Sequence, residues 1–237
     1  WIDEITAKNP VRQDYILTLT GGSDKASYMA SIGYLNEEGI LQTTSFDRYS
    51  GRANVEAKPN EWLKFGFNTN FAQTKSNFLN ATGSSTSNVW YSAMLMAPIY
   101  PIYIIDESGK PILDELGNKQ FDYGNNRASG AQQNYNSIAT LYDDKFKSTS
   151  TSISTRSYVD LLDFKDGPIR GLKITATLGA DFRNTDQHNY ENPFFGNAAG
   201  SSGRAYKYST NMLSYTLSQL VTYQRTIAYY FYMPSMP

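Results

Sequence analysis

The stretch Leu172-Lys-Ile-Thr-Ala-Thr-Leu-Gly-Ala-Asp-Phe-Arg183 decides the fold of this chain. Its apolar and polar residues alternate six times in succession. This period of two is typical of a β-strand whose two faces meet different surroundings. The apolar side chains would lie on one side of the strand, and the charged and hydroxyl side chains on the other. The same pattern elsewhere in the chain therefore predicts further strands.

Six other segments repeat or approach this alternation, so an all-β antiparallel fold of about seven strands is expected. Their side chains mix small residues and rings on one face with Asn, Ser, Thr and single charges on the other. Gln219 and Leu220 interrupt the alternation once in the last segment. The six segments are Tyr15–Thr20, Tyr28–Leu35, Tyr49–Lys58, Leu63–Phe71, Ser150–Leu162 and Leu213–Thr226.

The expected connections alternate between short and long. Residues 21–26, 59–61 and 165–171 are short and rich in turn-forming residues. Residues 36–45, 77–147 and 191–208 are longer. This asymmetry is typical of a transmembrane β-barrel, which has tight turns on one side of the membrane and long loops on the other. A soluble β-sandwich remains the alternative. In a barrel, four aromatic residues near strand ends would form an interfacial girdle: Tyr28, Phe46, Tyr49 and Trp62.

The composition excludes several classes of protein. The chain has 237 residues, of which 18% are charged and 14% aromatic, and this content argues against disorder. A net charge of −1 argues against a basic nucleic-acid-binding face. The absence of cysteine excludes disulfides and cysteine-ligated metals. No apolar run reaches the roughly 18 residues of a membrane helix.

No residue constellation points to catalysis, so no enzymatic activity and no cofactor or metal are expected. Residues 106–110 and 114–118 superficially suggest a calcium loop, but their acidic spacing fails the EF-hand pattern and favours two turns. His188, the single histidine, is expected to be an exposed residue near a strand end. Asp3-Glu4 and Asp143-Asp144 are adjacent carboxylates that would point in different directions.

The long connection 77–147 is the most informative functional segment, because structureless loops of this length are uncommon and often functional. Residues Ser87–Met96 predict a short helix that Pro98 and Pro101 end. Its aromatic side chains could stack on sugar rings or hold a peptide. The alternative is that they fold the loop onto itself or against a partner. The candidate substrate-binding residues are Trp90, Tyr91, Tyr100 and Tyr103.

Both ends of the sequence are interpreted as truncations. The chain begins with Trp1 rather than Met, and a secreted or membrane protein needs a signal peptide. The segment 228–237 contains two prolines and is a poor continuation of a strand. We expect residues 228–237 to be an atypical tail.

Several motifs occur in order along the chain, and they resemble those of SusC/RagA-type TonB-linked outer-membrane transporters. The resemblance covers the chain to about Thr226. Thr18 and Thr20 stand where the family more often has serine. The motifs are Trp1-Ile-Asp-Glu-Ile5, the run from Gln13 to Ile40 that contains Gly21-Gly-Ser-Asp-Lys-Ala26, Phe46-Asp-Arg-Tyr-Ser-Gly-Arg-Ala-Asn54, Trp62-Leu-Lys-Phe-Gly-Phe-Asn68, Gly171–Asp181 and Asn211–Tyr223.

The resemblance implies a larger protein in the outer membrane of a Gram-negative bacterium, with a plug inside a barrel of about 22 strands. Residues 1–227 would be early strands of that barrel, without the plug. The implied function is import of glycan or peptide oligomers with energy from TonB. The implied partners are a SusD-like surface lipoprotein, TonB, outer-membrane lipid, the oligosaccharide or peptide substrate and the rest of the barrel, but no nucleic acid. The alternative is a soluble β-sandwich that binds carbohydrate or acts as an adhesin.

Overall fold

The structure, a computed structural model, describes residues 1–79, 88–125, 127, 135–161, 170–196 and 198–225. Within these residues the fold is dominated by seven β-strands, with three short helices and one 3₁₀ turn at Ala199–Ser201. The elements are α1 (Ile2–Ile5), β1 (Arg12–Ser23), β2 (Ala26–Glu38), β3 (Ser45–Asn60), β4 (Leu63–Phe78), α2 (Val89–Leu95), α3 (Ser137–Asp143), β5 (Lys145–Leu161), β6 (Leu172–Glu191) and β7 (Arg204–Tyr223).

The seven strands form one antiparallel sheet in which each strand pairs with the next one along the chain. Because every pairing is between sequence neighbours, the sheet is a simple meander. The register shifts once, between Ala57 and Asn60 on β3. The interruption of the alternation in β7 is confirmed, since Gln219 lies on the same face as Leu217 and Val221, and the pairing of β6 with β7 continues through it without a shift in register. The all-β fold and the seven strands expected from the sequence are confirmed.

The connections divide between the two ends of the sheet as expected. Only Asp24 and Lys25 separate β1 from β2, and only Glu61 and Trp62 separate β3 from β4. The third short connection, 165–171, lies mostly outside the described residues. The longer connections 39–44, 79–144 and 192–203 all meet at the opposite end, called the outer end below.

Two predicted boundaries are wrong for the same physical reason. Strand β6 continues to Glu191 although its alternation stops at Arg183, and β7 begins at Arg204 within the expected loop 191–208. In the last part of β6, after Arg183, and in the first part of β7, before Leu213, neither face is consistently apolar. No apolar period therefore marks these parts as strands. His188 therefore lies within β6, where its side chain is exposed.

The pairing places the apolar alternate residues of all seven strands on one face, called the apolar face. In one row across the sheet, Leu17, Ile32, Gly51, Phe71, Ile153, Phe182 and Leu213 lie side by side. Thr69, Thr155, Ser157 and Gln219 are the polar exceptions. The apolar band comprises Tyr15, Leu17, Leu19, Tyr28, Ala30, Ile32, Tyr34, Tyr49, Gly51, Ala53, Val55, Ala57, Leu63, Phe65, Phe67, Thr69, Phe71, Ile153, Thr155, Ser157, Val159, Leu161, Leu172, Ile174, Ala176, Leu178, Ala180, Phe182, Leu213, Tyr215, Leu217, Gln219, Val221 and Tyr223.

The height of the apolar band matches the hydrocarbon layer of an outer membrane. On β6 it runs from Leu172 to Phe182, which is about 34 Å along the strand at roughly 3.4 Å per residue. A strand tilt of about 40° reduces this length to roughly 25 Å along the membrane normal. Both strand length and side-chain pattern therefore fit a strand that crosses the membrane and extends beyond it.

The apolar band is exposed, and this finding disfavours the β-sandwich alternative. Leu178, in the penultimate strand, is 52% exposed, and Leu217 beside it is 64% exposed. A sandwich would bury these side chains against a second sheet. The part of the chain that the structure describes contains only one sheet.

Tyrosines mark the outer border of the apolar band on the first three strands. Tyr15, Tyr34 and Tyr49 lie in one row, and the rings of Tyr34 and Tyr49 are 5.0 Å apart. Phe46, expected in the girdle, lies on the opposite face, because it is an odd number of residues away from Tyr49. Trp62 lies in the turn between β3 and β4 and is 46% exposed.

Candidate functional site

The long connection folds into a small packed unit at the outer end, together with the N-terminal segment. We call this unit the outer cap; it comprises residues 1–7, 39–44, 88–125 and 135–144. Its core is buried and joins all three helices. Trp1, Leu41 and Phe121 pack against this core. The core residues are Ile5, Val89, Ala93, Ile138 and Leu141.

Both helices of the long connection begin at an asparagine cap. Helix α2 covers Val89–Leu95 and confirms the short helix predicted from the sequence. Asn88 accepts a hydrogen bond from the Tyr91 N–H at its start. Helix α3 was not predicted. Asn136 accepts from the N–H groups of Ile138 and Ala139, and this cap ahead of apolar Ile138 and Leu141 is the signal that could have revealed it.

Hydrogen bonds tie the outer cap together across long sequence distances. The hydroxyl of Thr43 donates to the Leu141 carbonyl at 2.9 Å. The hydroxyl of Tyr142 donates to Gln42 Oε1 at 2.7 Å, and Gln42 Nε2 donates to the Glu4 carbonyl at 2.9 Å. The β2–β3 connection is therefore fixed between α1 and α3. This arrangement gives the cap one defined position at the outer end.

The two acidic segments of the long connection form turns, as the sequence favoured. Asp106 Oδ1 accepts from the N–H groups of Ser108 and Lys110 at 2.8 and 2.9 Å. Asp114 Oδ1 accepts in the same way from Leu116 and Asn118. Hydrogen bonds from Ser108, chiefly its hydroxyl, hold the pKa of Asp106 below its ordinary value. Because these oxygens accept bonds from their own turns, they act as turn-forming groups.

The four candidate aromatic residues do not form one cluster. Trp90 and Tyr91 lie on α2 and are 40% and 49% exposed. The Tyr103 ring instead stacks on Phe121 with centroids 5.3 Å apart, and Lys119 Nζ lies 5.1 Å from its centroid. Tyr103 therefore helps to fold the loop onto itself, which was the alternative reading of these residues.

Tyr100 contributes to a cleft of about 960 Å³ in the outer cap. The guanidinium carbon of Arg127 lies 5.0 Å from the Tyr100 ring centroid. Another wall is formed by Tyr123 and Phe195, whose rings are stacked with centroids 3.4 Å apart. Polar residues complete the lining; among them are Asp114, Asn118, Lys119, Gln120, Asp122 and Asn125.

The cleft can offer ring faces and charges of both signs to a ligand. Arg127 is 6% exposed and donates to the Tyr135 carbonyl at 2.8 Å, so its guanidinium is held in place. Flat aromatic surfaces beside fixed polar groups suit sugar rings and peptide groups. The sequence missed Arg127, Tyr123 and Phe195 as lining residues, because Phe195 belongs to a different connection from Tyr123 and Arg127 and meets them only in the folded chain. No local motif unites them.

An acidic cluster lies beneath the cleft, where the cap meets β6. Asp144 Oδ1 accepts from the Asn192 N–H at 2.8 Å. Burial, together with the nearby charges of Glu191 and Asp143, raises the pKa of Asp144 to about 6. Arg204 lies 3.4 Å from Glu191, and the Tyr123 hydroxyl donates to Asp143 at 2.7 Å. The adjacent aspartates thus have separate partners.

The face opposite the apolar band, the polar face, carries networks of charged and hydroxyl groups. Arg156 Nη2 lies 2.8 Å from Asp181 Oδ2, and the Ser154 hydroxyl donates to Asp181 at 2.5 Å. Lys64 lies 3.0 Å from Glu56 on the same face. Such a wall suits a wet interior rather than lipid.

No group of three or more His, Cys, Asp or Glu side chains in the described part of the chain is arranged to hold a metal ion. None of the helices within it is long and apolar enough to span a membrane.

A membrane-height apolar band, a polar opposite face and long loops at one end are the features of a wall segment of an outer-membrane β-barrel. Curated relatives agree with this class. The chain is 23% identical over 230 residues to TonB-dependent receptor P26 of Formosa agariphila, covering 96% of this chain and 20% of the relative. It is 26% identical over 184 residues to TonB-dependent receptor SusC of Bacteroides thetaiotaomicron, covering 77% of this chain and 16% of the relative. The chain thus spans about a fifth of these relatives.

Solved structures show the same fold. The RagAB peptide transporter matches with a TM-score of 0.60 at 23% identity, over 92% of this chain and 22% of the other. The closed-closed state of the RagAB peptide importer matches with a TM-score of 0.64 at 23% identity, over 91% and 22%. No protein-family model matches the chain. The resemblance to SusC/RagA-type TonB-linked transporters is confirmed, and with it the location in the outer membrane.

Proposed function

We propose that residues 1–227 form an early part of the barrel wall of an active transporter that imports glycan or peptide oligomers. The apolar band carries this proposal, because seven successive strands present a continuous lipid-facing surface of about 25 Å. The polar face would then line the barrel interior. Residues 228–237 lie outside the described residues, and we propose that they are a tail outside the barrel.

Energy from TonB and a SusD-like surface lipoprotein complete the proposed transporter. Relatives of this class are named TonB-dependent receptors, which supports an energised import step. Since the chain spans about a fifth of these relatives, the plug and the TonB-contacting segment would lie in other parts of the polypeptide. The outer cap lies at the end where a lipoprotein could cover the barrel. No catalytic step is proposed for these residues.

An uptake experiment tests the function of the complete polypeptide that carries this segment. It would be produced in an outer membrane and offered fluorescent oligosaccharides and oligopeptides, with and without a protonophore. We expect uptake of one class that stops when the protonophore or loss of TonB removes the energy source. Energy-independent uptake, or no uptake of either class, would contradict the proposal.

Of the four candidate loop aromatics Trp90, Tyr91, Tyr100 and Tyr103, we further propose that Trp90, Tyr91 and Tyr100 contact the substrate directly and that Tyr103 supports the fold of the loop. Trp90 and Tyr91 are exposed, and Tyr100 lines the cleft. These positions support direct contact of the three residues with the substrate. Tyr103 would act indirectly, by holding the loop in place, because its ring packs on Phe121. The cleft supports this proposal for Tyr100, and exposure of the side chains supports it for Trp90 and Tyr91.

Alanine substitutions separate these roles. Trp90→Ala and Tyr100→Ala should weaken substrate binding roughly fivefold, because a ring-stacking contact of this kind is worth about 1 kcal/mol. They should leave protease resistance of the cap unchanged. Tyr103→Ala is the matched control and should loosen the cap. Unchanged substrate affinity in the Trp90 and Tyr100 variants would contradict the assignment.

A further inference from the structure

Basic side chains gather on the apolar side of the sheet, beyond the apolar band and toward the outer end. Lys147, His188 and Lys207 are direct cross-strand partners on β5, β6 and β7. Lys145 lies two residues further along β5 on the same face, and Lys75 lies on β4. All five side chains are exposed. We call Lys75, Lys145, Lys147, His188 and Lys207 the basic patch.

This placement has a small energetic cost that a bound anion would offset. Lys147 and Lys207 both lie opposite His188, so their strands are about 10 Å apart and their ammonium groups repel each other only weakly. Three acids share this face outside the apolar band: Asp47 beside Lys75, Asp186 diagonal to Lys147 and Lys207, and Glu38 on β2, two strands away from Lys75. Among the described residues, none of the three makes an ion pair with a lysine of the patch. The patch therefore keeps a net positive charge.

The height of the patch indicates what it meets. Lys75 is four residues beyond Phe71 of the apolar band, and His188 is six residues beyond Phe182. At roughly 3.4 Å per residue and a tilt of about 40°, these separations place Lys75, Lys147, His188 and Lys207 about 10–15 Å outside the hydrocarbon layer, and Lys145 about 20 Å outside it. A phospholipid headgroup layer is thinner, at roughly 5–7 Å per side.

The zone between the apolar band and the patch is polar. On the four strands β4 to β7 it presents amide and hydroxyl side chains outward rather than apolar ones. Such groups hydrogen-bond readily to sugars. The outward residues in this row are Gln73, Thr151, Asn184 and Asn211.

We propose that the basic patch binds the phosphorylated saccharide headgroup of an outer-leaflet glycolipid. The amide and hydroxyl row contacts the sugars nearest the bilayer, and the lysines contact phosphate groups on them. Lysine stems reach along the strand surface and let the ammonium groups meet phosphates at slightly different heights. This inference rests on the proposed barrel orientation, in which the apolar face meets lipid.

Lipid retention in nanodiscs tests the proposal on the complete polypeptide. The barrel would be reconstituted in phosphatidylethanolamine with bis-phosphorylated lipid A, and the lipid retained would be measured by native mass spectrometry. Lys147→Gln combined with Lys207→Gln should lower lipid A affinity roughly thirtyfold, since each lysine near an anionic surface contributes a several-fold gain. Lys8→Gln combined with Lys110→Gln is the control, because both are exposed lysines of the connecting segments away from the strands. The control should retain wild-type affinity.

A second variant works in the opposite direction. Asp186→Asn removes an acid from beside the patch and should raise affinity for lipid A several-fold. Equal affinity of the wild-type chain for phosphorylated and dephosphorylated lipid A would overturn the proposal and leave an acidic protein as the partner of this face. Equal loss in the control pair would also overturn it. Heat-modifiable migration of the wild-type barrel is recorded separately, and its absence would contradict the proposed function instead.

Discussion

Asp144 connects the outer cap to the β6–β7 connection, and its environment makes this contact sensitive to pH. The pKa of its carboxyl is raised to about 6, mainly by burial and further by Glu191 and Asp143. The folded state therefore holds a proton on Asp144 more tightly than the unfolded state does. Stability from this group is greatest below its ordinary pKa of about 4 and falls as pH rises toward 6.

Asp144→Asn should remove this pH dependence. The amide oxygen can still accept the Asn192 N–H, and it carries no charge to bury. We expect opening of the cap, measured by hydrogen exchange in α3 and corrected for intrinsic rates, to be rarer in the variant than in the wild type above pH 6. Below pH 4 the two should agree. Asp3→Asn, at an exposed carboxylate of α1, is the control. An unchanged pH profile in Asp144→Asn would refute the assignment.

At the scale of elements, Asn136 joins the start of α3 to the paired segments around Ile102 and Asp122 of the long connection. Its Oδ1 accepts from two helix N–H groups, and its Nδ2 donates to the carbonyls of Ile102 and Asp122 at 2.8 and 3.0 Å. The residue is 1% exposed. One buried amide thus links two segments that are far apart in sequence.

Asn136→Ala should destabilise the outer cap by about 2–3 kcal/mol. About 1 kcal/mol comes from the lost helix cap, and the rest from the loss of two partly buried hydrogen bonds from Nδ2 to the Ile102 and Asp122 carbonyls. Asn88→Ala offers a matched comparison, because Asn88 caps α2 but is only half-buried. We expect faster proteolysis of the long connection in Asn136→Ala than in Asn88→Ala. The reverse order would contradict this role.

The strands make a sharper test, because neighbouring residues on β4 face different media. Phe67 lies in the middle of the apolar band and Asn68 lies on the polar face. Phe67→Lys should destabilise the inserted barrel by about 2–4 kcal/mol, since a lysine near the bilayer midplane carries that cost. Asn68→Lys should be tolerated. Folding into vesicles, followed by heat-modifiable migration, measures both. Equal tolerance of the two lysines would argue against the lipid-facing assignment.

At the scale of the whole molecule, the sheet has two open edges. Strands β1 and β7 each pair with one neighbour in the described residues, so one side of each presents unpaired backbone groups. Almost every residue of both strands is exposed. In hydrocarbon, unpaired backbone groups cost several kcal/mol each, so a spanning sheet must close.

Residues 1–237 expressed alone should therefore fail to give a heat-modifiable, monomeric barrel in detergent. Open edges favour association with other copies. Sedimentation in detergent and gel migration with and without heating would measure the outcome. The complete polypeptide serves as the comparison. A stable, soluble monomer of 1–237 would contradict the barrel assignment and revive the β-sandwich alternative.

The sequence by itself determined the strands inside the membrane layer and the class of fold. Where one face of a strand meets lipid and the other meets water, the residues must alternate, as Leu172–Arg183 does, and this local requirement can be read without a structure. The helix over Val89–Leu95 could also be predicted from the sequence, because Pro98 and Pro101 follow it closely and mark its end.

Tertiary structure alone decided the ends of the strands and the sites beyond the membrane. Outside the lipid layer both faces of β6 and β7 meet water, so no period distinguishes strand from loop. The cleft joins Tyr100 and Arg127 to Phe195, and the basic patch joins Lys147 to Lys207. Contacts across such sequence distances depend on strand register and loop packing, and no local pattern of residues records either.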